Sequence, residues 1–419
     1  MARRSRTASL RERLEQPPEP RAILTGAPRA RTGFPRAAAP AAGGGGVPWH
    51  TAAHGAEAVD AQGLLQQMNA PEHPTARSSA PREALWQRAL VGAVALLIGL
   101  VERLPTRLAY LLGDALAIPW FVYWSLRDRR GRRSSGYWRN VRIAFRAGSQ
   151  LPPARPKGHL WRWSRHIAWI AIDFCRMRRI HAGNLHELCE LAEFERVRAL
   201  FEAGRGVICV TGHVGVWDVS GHVAGLLGLP ITSVFRPSPL PALNRLIERL
   251  RTGSGQTVVA RKKVMWTLKK TLEAREAIAL LADGGGKHSA VVAPFLGTSS
   301  RTVATPALLH LATGAPIAVV AMLRTGRMRY RLRVYDVIRD ADTGDRDRDL
   351  MTITSRVNRA LGQGIVEAPE QWFWQSRRFR HRPDGEAKGA DGLPPVVSPD
   401  VAARPMAAAE RHRSVRAAD

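Results

Sequence analysis

Apolar residues follow two different patterns along the 419-residue chain. Between residues 89 and 126 they form two long runs, one over 89–101 and one over 108–126, the second interrupted by Asp114 and Pro119. From about residue 190 onward, short apolar runs alternate with longer stretches that have helical spacing. This alternation is typical of an α/β fold, in which helices flank a sheet.

The short apolar runs predict seven strands in the second half of the chain. The predicted strands cover residues 206–211, 231–235, 256–260, 277–283, 290–295, 316–323 and 330–338. Helices are predicted after Thr211 and over residues 241–252, 264–275, 303–313 and 347–363.

The two long apolar runs predict a helical hairpin in or on a membrane. Neither is a clean spanning segment, which needs about 20 apolar residues. However, Leu104-Pro105 separates them and an arginine-rich segment follows, as expected for helices that lie against anionic headgroups. The alternative is a pair of core helices in a soluble fold.

Composition suggests that both ends of the chain are disordered. Residues 1–81 are rich in Ala, Arg, Pro and Gly without helical or strand periodicity, and residues 383–419 are similarly polar. We therefore predict membrane-associated helices and a basic segment over 82–146, and a catalytic domain over 147–382.

Net charge narrows the range of partners. The chain carries a formal net charge of +28, which predicts attraction to anionic lipid, to an acidic carrier protein or to nucleic acid. Residues 127–179 alone hold fifteen Lys and Arg against two acids, directly after the apolar runs. No helix-turn-helix, zinc-finger or RNA-binding signature accompanies this charge, so a nucleic-acid-binding protein remains only a distant alternative. The three cysteines lack the spacing of a metal site and predict a reducing compartment.

The strongest chemical candidate is His213 with Asp218, at the end of the strand predicted over 206–211. Ligands of α/β folds bind at that edge of the sheet. A histidine paired with a carboxylate can deprotonate a hydroxyl at neutral pH, and backbone N–H groups at the following helix start could hold an oxyanion. The spacing alone is weak, since His381 and Glu386 repeat it in the polar tail. Another interpretation is a structural histidine.

Other reaction classes have less support. His213, Asp218 and His222 could be drawn as a metal site, because Asp218 and His222 stand four apart on one helix face. Neither a GxSxG nucleophile motif nor a P-loop is present, which argues against a serine hydrolase and a P-loop NTPase.

About 300 residues resemble the bacterial lipid A biosynthesis acyltransferase family, block by block. The blocks are Leu104-Pro105 with the segment 137–145, the string His213-Val-Gly-Val-Trp-Asp218, Val234-Phe-Arg236-Pro237 with the segment 244–251, Asp283 with Pro294-Phe-Leu-Gly297, and Pro369-Glu-Gln-Trp-Phe-Trp-Gln-Ser-Arg-Arg-Phe379. The last string is the most specific.

The resemblance implies a single mixed, mostly parallel sheet and transfer of a fatty acyl chain to a hydroxyl of a lipid A precursor. It implies His213 and Asp218 as a catalytic dyad, and Arg236, Arg251 and Asp283 as substrate-binding residues. The donor would be an acyl thioester on acyl carrier protein or coenzyme A, the acceptor an anionic glycolipid, and no cofactor or metal would be needed.

Departures from the family pattern affect the acceptor more than the reaction. Asp218 stands where most members have Glu, and Val216, Leu240, Gly284 and Ser376 replace the family's Asn, Asn, Gln and His. An acyltransferase for another membrane lipid, such as a phosphatidylinositol mannoside, is the main alternative. The expected location is the cytoplasmic face of the inner membrane.

Overall fold

A computed structural model describes most of the chain after its N-terminal tail. The described residues are 85–129, 136–146, 151, 156–261, 264–285, 290–340, 343–380, 386–389, 392–398 and 403–405. The disorder predicted for residues 1–81 lies outside them. The domain boundaries derived from composition stay predictions.

Eleven α-helices occur within the described ranges. Those before the first long strand are α1 (Leu85–Arg103), α2 (Thr106–Arg129), α3 (Tyr137–Ala144), α4 (Pro156–Arg176), α5 (Leu185–Leu188) and α6 (Phe194–Leu200). The later ones are α7 (Trp217–Leu226), α8 (Pro241–Thr252), α9 (Val264–Glu273), α10 (Thr305–Thr313) and α11 (Arg346–Glu367).

A seven-stranded sheet forms the centre of the fold, in the order β1-β9-β8-β2-β5-β3-β4. Its strands are β1 (Cys189–Glu190), β2 (Val207–Thr211), β3 (Ile231–Phe235), β4 (Thr257–Ala260), β5 (Ala277–Leu281), β8 (Ile317–Gly326) and β9 (Arg329–Ile338). Neighbours pair in parallel except β8 and β9, which form an antiparallel hairpin. The mixed, mostly parallel α/β sheet predicted above is thus confirmed.

A second, three-stranded sheet was not predicted. It consists of β6 (Ala290–Phe295), β7 (Thr298–Val303) and β10 (Arg404–Pro405), in the antiparallel order β10-β6-β7. The sequence predicts the strand over 290–295 but places it in the main sheet. The segment of β7 reads Thr-Ser-Ser-Arg-Thr-Val, and its lack of apolar alternation explains why no strand was predicted there.

Part of the C-terminal segment predicted to be disordered contacts this small sheet. β10 pairs with β6, the Val397 amide donates to the Gly297 carbonyl, and Ala403 is buried. These contacts bring residues from the polar tail onto the folded body.

The main sheet separates two apolar layers. On β2, Ile208 and Val210 face a layer that includes α9, α10 and α11, whereas Val207 and Cys209 face a layer that includes α6 and α7. This alternation follows from the two-residue period of a strand. A central strand with helices on both sides is buried at every position, as β2 is, and is therefore mostly apolar.

The predicted apolar hairpin is formed by α1 and α2. Its large apolar side chains are mostly exposed: Leu96, Leu97 and Leu100 on α1 are 65%, 58% and 54% exposed. Among the described residues, α1 is the one helix long and apolar enough to cross a membrane. Asp114, which interrupts the second apolar run, pairs with Arg165 of α4 at 2.8 Å. Its charge is therefore satisfied on the protein side of the hairpin.

A buried ion pair joins α4 to the sheet, and Tyr110 of the hairpin donates a hydrogen bond to the carboxylate of that pair. Asp173 of α4 accepts hydrogen bonds from Arg324 of β8, Tyr110 of α2 and Tyr330 of β9. The side chains of Arg324 and Asp173 are 4% and 1% exposed. Removing one partner of such a pair leaves the other charge buried without compensation.

We expect Asp173→Ala to lower the free energy of unfolding by about 3–5 kcal/mol, because Arg324 would lose its counter-charge. Chemical denaturation of the detergent-solubilised protein measures this loss. The matched control is Glu190→Ala, which breaks the exposed pair with Arg331 and should leave the free energy of unfolding almost unchanged. Equal effects of the two substitutions would contradict a structural role for the buried pair.

Candidate active site

The site is built on the turn between β2 and α7, at the carboxyl edge of the main sheet. Gly215 in this turn has φ +68°, and a Cβ there would lie 2.0 Å from the Met322 carbonyl oxygen. The Val216 amide donates to Met322 O at 2.8 Å, and the Gly215 amide donates to Gln371 O at 3.0 Å. Only glycine fits so close to β8, and the turn is fixed from two sides.

His213 lies in this turn and is hydrogen-bonded to Asp283. Because β2 and β5 are adjacent and parallel, the residues that follow them meet at one edge. His213 Nδ1 lies 2.8 Å from Asp283 Oδ1, and the His213 amide donates to Asp283 Oδ2 at 2.9 Å. An ionised carboxylate at this position selects the tautomer with the proton on Nδ1, so that Nε2 keeps its lone pair.

Asp283 is also held from a third direction. The indole Nε1 of Trp372 donates to Asp283 Oδ2 at 2.8 Å. The Asp283 side chain is only 2% exposed, whereas that of His213 is 37% exposed. The carboxylate is therefore enclosed behind the imidazole, which itself remains accessible.

The charges of the pair shift both pKa values. Burial raises the pKa of Asp283, but the nearby imidazole and three hydrogen bonds outweigh it and lower that pKa to about 2. Burial lowers the pKa of His213, but the charge and hydrogen bond of Asp283, and then the charge of Asp218, raise it above its ordinary value. His213 is thus a stronger base than a free histidine.

Asp218 lies in the first turn of α7 and pairs with a different partner. Its carboxylate is 2.7 Å from Arg251 Nη2 of α8. Burial raises the pKa of Asp218, and Arg251 opposes this shift. In the sequence-based prediction Asp218 was the partner of His213 and Asp283 a substrate ligand. In the structure Asp283 makes the hydrogen bond and Asp218 acts on His213 through its charge.

A cavity of about 810 Å³ opens beside His213. Its polar lining includes His213, Asp218, Arg236, Arg251 and Arg261. The remaining lining is mostly apolar, with residues from both layers of the fold. Apart from Asp283, which is enclosed behind His213, the predicted site residues thus line a cavity in the size range of small-molecule sites.

His222 is directed away from the possible metal site considered above. Its Nε2 lies 2.9 Å from the Ile180 carbonyl oxygen, and the side chain is buried. Within the described part of the chain, no group of three or more His, Cys, Asp or Glu side chains has the arrangement of a metal site.

Two residues of the Pro369–Phe379 string support the site without having been predicted to do so. Trp372 binds Asp283, and the Gln371 side chain exchanges two hydrogen bonds of 2.9 Å with the backbone of Arg324. The string stood out in the sequence, but only the fold brings it to the turn at His213.

A family model matches the part of the chain that contains the candidate site. A family described as "Bacterial lipid A biosynthesis acyltransferase" matches residues 86–381. The chain is similar to the lipid A biosynthesis palmitoleoyltransferase of Escherichia coli, with 26% identity over 44% of this chain and 58% of the relative.

Two other relatives are similarly distant. One is the phosphatidylinositol mannoside acyltransferase of Mycolicibacterium smegmatis, 25% identical over 47% of this chain and 64% of the relative. The other is a lipid A biosynthesis acyltransferase of Haemophilus influenzae, 24% identical over 48% and 63% of the two chains. The alignments therefore cover less than two thirds of each relative.

We expect Asp283→Asn to lower the pKa of His213 more than Asp218→Asn does. Asp283 is hydrogen-bonded to the imidazole and stabilises its protonated form most, whereas Asp218 is already paired with Arg251. NMR titration of protein with isotope-labelled histidine measures both values, with the pKa of His213 in the unsubstituted protein as reference. A larger fall in the Asp218→Asn protein would contradict this assignment of partners.

Proposed function

This chain belongs to the bacterial lipid A biosynthesis acyltransferase family, and we propose that it transfers a fatty acyl chain from an acyl thioester to a hydroxyl of a lipid A precursor. The observation that carries this proposal is the position of His213. It is bound through Nδ1 to a buried carboxylate and borders a largely apolar cavity.

In the proposed reaction, Nε2 of His213 accepts the proton of the acceptor hydroxyl as its oxygen attacks the thioester carbonyl. The resulting tetrahedral intermediate collapses with loss of the thiolate, which takes the proton from the imidazolium. An ester and a free thiol are formed. Because the thioester is already activated, no protein nucleophile is required.

Asp283 would stabilise the imidazolium and fix its orientation. A carboxylate held by three hydrogen bonds keeps its charge and its position while His213 changes protonation. Asp218 would add a second negative charge near the ring, while its bond to Arg251 holds α7 against α8.

The acceptor would be bound by arginines at the polar end of the cavity. Arg236 is exposed directly after β3, and Arg261 is exposed directly after β4. Arg251 also lines the cavity but is paired with Asp218, so we assign it a supporting role. Guanidinium groups suit phosphates, which fits an anionic glycolipid.

A second candidate is acylation of another membrane lipid. The relative named as a phosphatidylinositol mannoside acyltransferase is 25% identical, almost the same as the 26% of the palmitoleoyltransferase. Phosphatidylinositol mannosides are also anionic and carry free hydroxyls. A lipid A mass spectrum from a strain lacking the gene separates the two: loss of one acyl chain from lipid A supports the first proposal.

Net charge and exposed apolar surface support a proposal for the donor and for the location. The net charge of +28 suits the acidic surface of acyl carrier protein, which we propose as the carrier of the acyl thioester, and it also suits the phosphates of coenzyme A. The exposed leucines of α1 and α2 would embed in the bilayer. We place the protein at the cytoplasmic face of the inner membrane.

We expect His213→Ala to reduce acyl transfer by about 10²-fold or more while the protein stays folded, because the general base is lost. The assay uses radiolabelled lauroyl thioester of acyl carrier protein with a tetra-acylated lipid A precursor. The matched control is His186→Ala, which removes an exposed histidine of α5. Near-normal transfer by His213→Ala, or activity lost to a chelator and restored by zinc, would contradict the mechanism.

Membrane binding should survive high salt. Each basic residue near an anionic surface contributes about 1 kcal/mol and is screened by salt, whereas apolar burial is not. We expect the unsubstituted protein to stay in the membrane fraction at about 1 M salt. The double variant Leu97→Asp, Leu111→Asp should be released under the same conditions. Val366→Asp, at an exposed apolar position of α11, is the control. Fractionation of the unsubstituted protein as soluble in low salt without detergent would contradict this placement.

A further inference from the structure

The cavity beside His213 extends to both faces of the main sheet. Residues of β5 show this, because Ala279 packs with the layer that includes α6 and α7, whereas Leu280 belongs to the opposite layer. Both line the same cavity. Since neighbouring residues of a strand point to opposite faces, the cavity must pass around the carboxyl edge of the sheet.

One branch, here the inner arm, lies between the sheet and helices α6 and α7. Its lining includes Phe194, Val197, Cys209, Ile231, Val320 and Leu332. Ala279 is partly accessible and Cys209 is 7% exposed, although both lie on central strands covered by helices. Accessibility at such depth shows that this arm is open space within the apolar layer.

The other branch, here the outer arm, lies on the opposite face beside α9 and the start of α10. Its lining includes Val264, Met265, Leu268, Leu280, Val303 and Pro306. Val264, Met265 and Val303 are partly exposed, so this arm is shallower than the inner one. Arg261 precedes α9 by three positions and lines the same cavity.

His213 lies at the edge of the sheet where the two arms meet. The carbonyl carbon of a fatty acyl thioester is the end of its chain, so a chain whose carbonyl is at His213 can fill only one arm. The other arm is left for a second apolar chain.

Resting on the proposed function, we propose that the inner arm holds the transferred acyl chain and the outer arm holds an acyl chain of the acceptor lipid. Asp218 and Arg251 line the cavity at the first turn of α7, close to His213, whereas the lining residues from α6 and from β9 are apolar, as a slot for a free chain end requires. The outer arm is more open and adjoins Arg261, which fits a chain still attached to a phosphorylated headgroup.

Two substitutions that fill one arm each test this division. Ala279→Met narrows the inner arm, and Val264→Phe narrows the outer arm. The full-length protein is assayed in detergent with decanoyl, lauroyl, myristoyl and palmitoyl thioesters of acyl carrier protein. The acceptors are a tetra-acylated lipid A precursor and a synthetic analogue of it. In the analogue, the acyl chains that do not carry the accepting hydroxyl are shortened to four carbons. Ala274→Met, at an exposed position just after α9, is the control for the added methionine.

We expect Ala279→Met to lower kcat/KM for the longest accepted donor at least about 10-fold, and to shift the preference to shorter donors. Val264→Phe should keep the order of donor preference and raise KM for the tetra-acylated acceptor about 10-fold, with little change for the short-chain analogue. Leu332→Ala, which lengthens the inner arm, should improve use of the longer donors and provides a test that does not depend on added bulk.

An identical shift of donor preference by Ala279→Met and Val264→Phe would show that both arms serve one chain and would overturn the proposal. Equal use of the tetra-acylated and short-chain acceptors by the unsubstituted protein would also overturn it. Absence of transfer by the unsubstituted protein to either acceptor, with any donor, would instead count against the proposed function itself.

Discussion

The buried carboxylate of Asp283 is the constraint on which the site depends. A charge that is 2% exposed is costly unless hydrogen bonds replace the lost water. Here the replacements come from the imidazole and amide of His213 and from the indole of Trp372. One anion thus fixes three segments that are distant in sequence: the turn after β2, the end of β5 and the Pro369–Phe379 string.

The same C-terminal string holds the turn by backbone contacts. The carbonyl oxygen of Gln371 accepts a hydrogen bond from the Gly215 amide, and the Gln371 side chain forms two hydrogen bonds with the backbone of Arg324. Arg324 in turn binds Asp173, which accepts from Tyr110 of the apolar hairpin. A continuous set of buried polar contacts therefore runs from the hairpin to the turn that carries His213, and its members must all be satisfied together.

Sequence patterns predicted the parts of this structure that are local. The strand over 231–235 and the helix over 241–252 were predicted at the bounds observed, because apolar runs and helical spacing are properties of neighbouring residues. The pairing of His213 with Asp283 was not predicted, since 70 residues separate them and only the parallel pairing of β2 with β5 brings them together. The weakly patterned strand β7 was missed for the opposite reason, because its register comes from pairing with β6 rather than from its own sequence.

The spacing between His213 and Asp218 has a physical explanation that does not require a bond between them. His213 must lie in the turn to reach Asp283, and α7 begins at Trp217, so a residue five positions after His213 falls in the first helical turn. A carboxylate is favoured there by the unpaired N–H groups and the helix dipole. From that turn Asp218 faces Arg251 of α8, the helix that α1 of the apolar hairpin also contacts. Asp218 therefore has two effects: its charge raises the pKa of His213, and its ion pair with Arg251 holds α7 against α8.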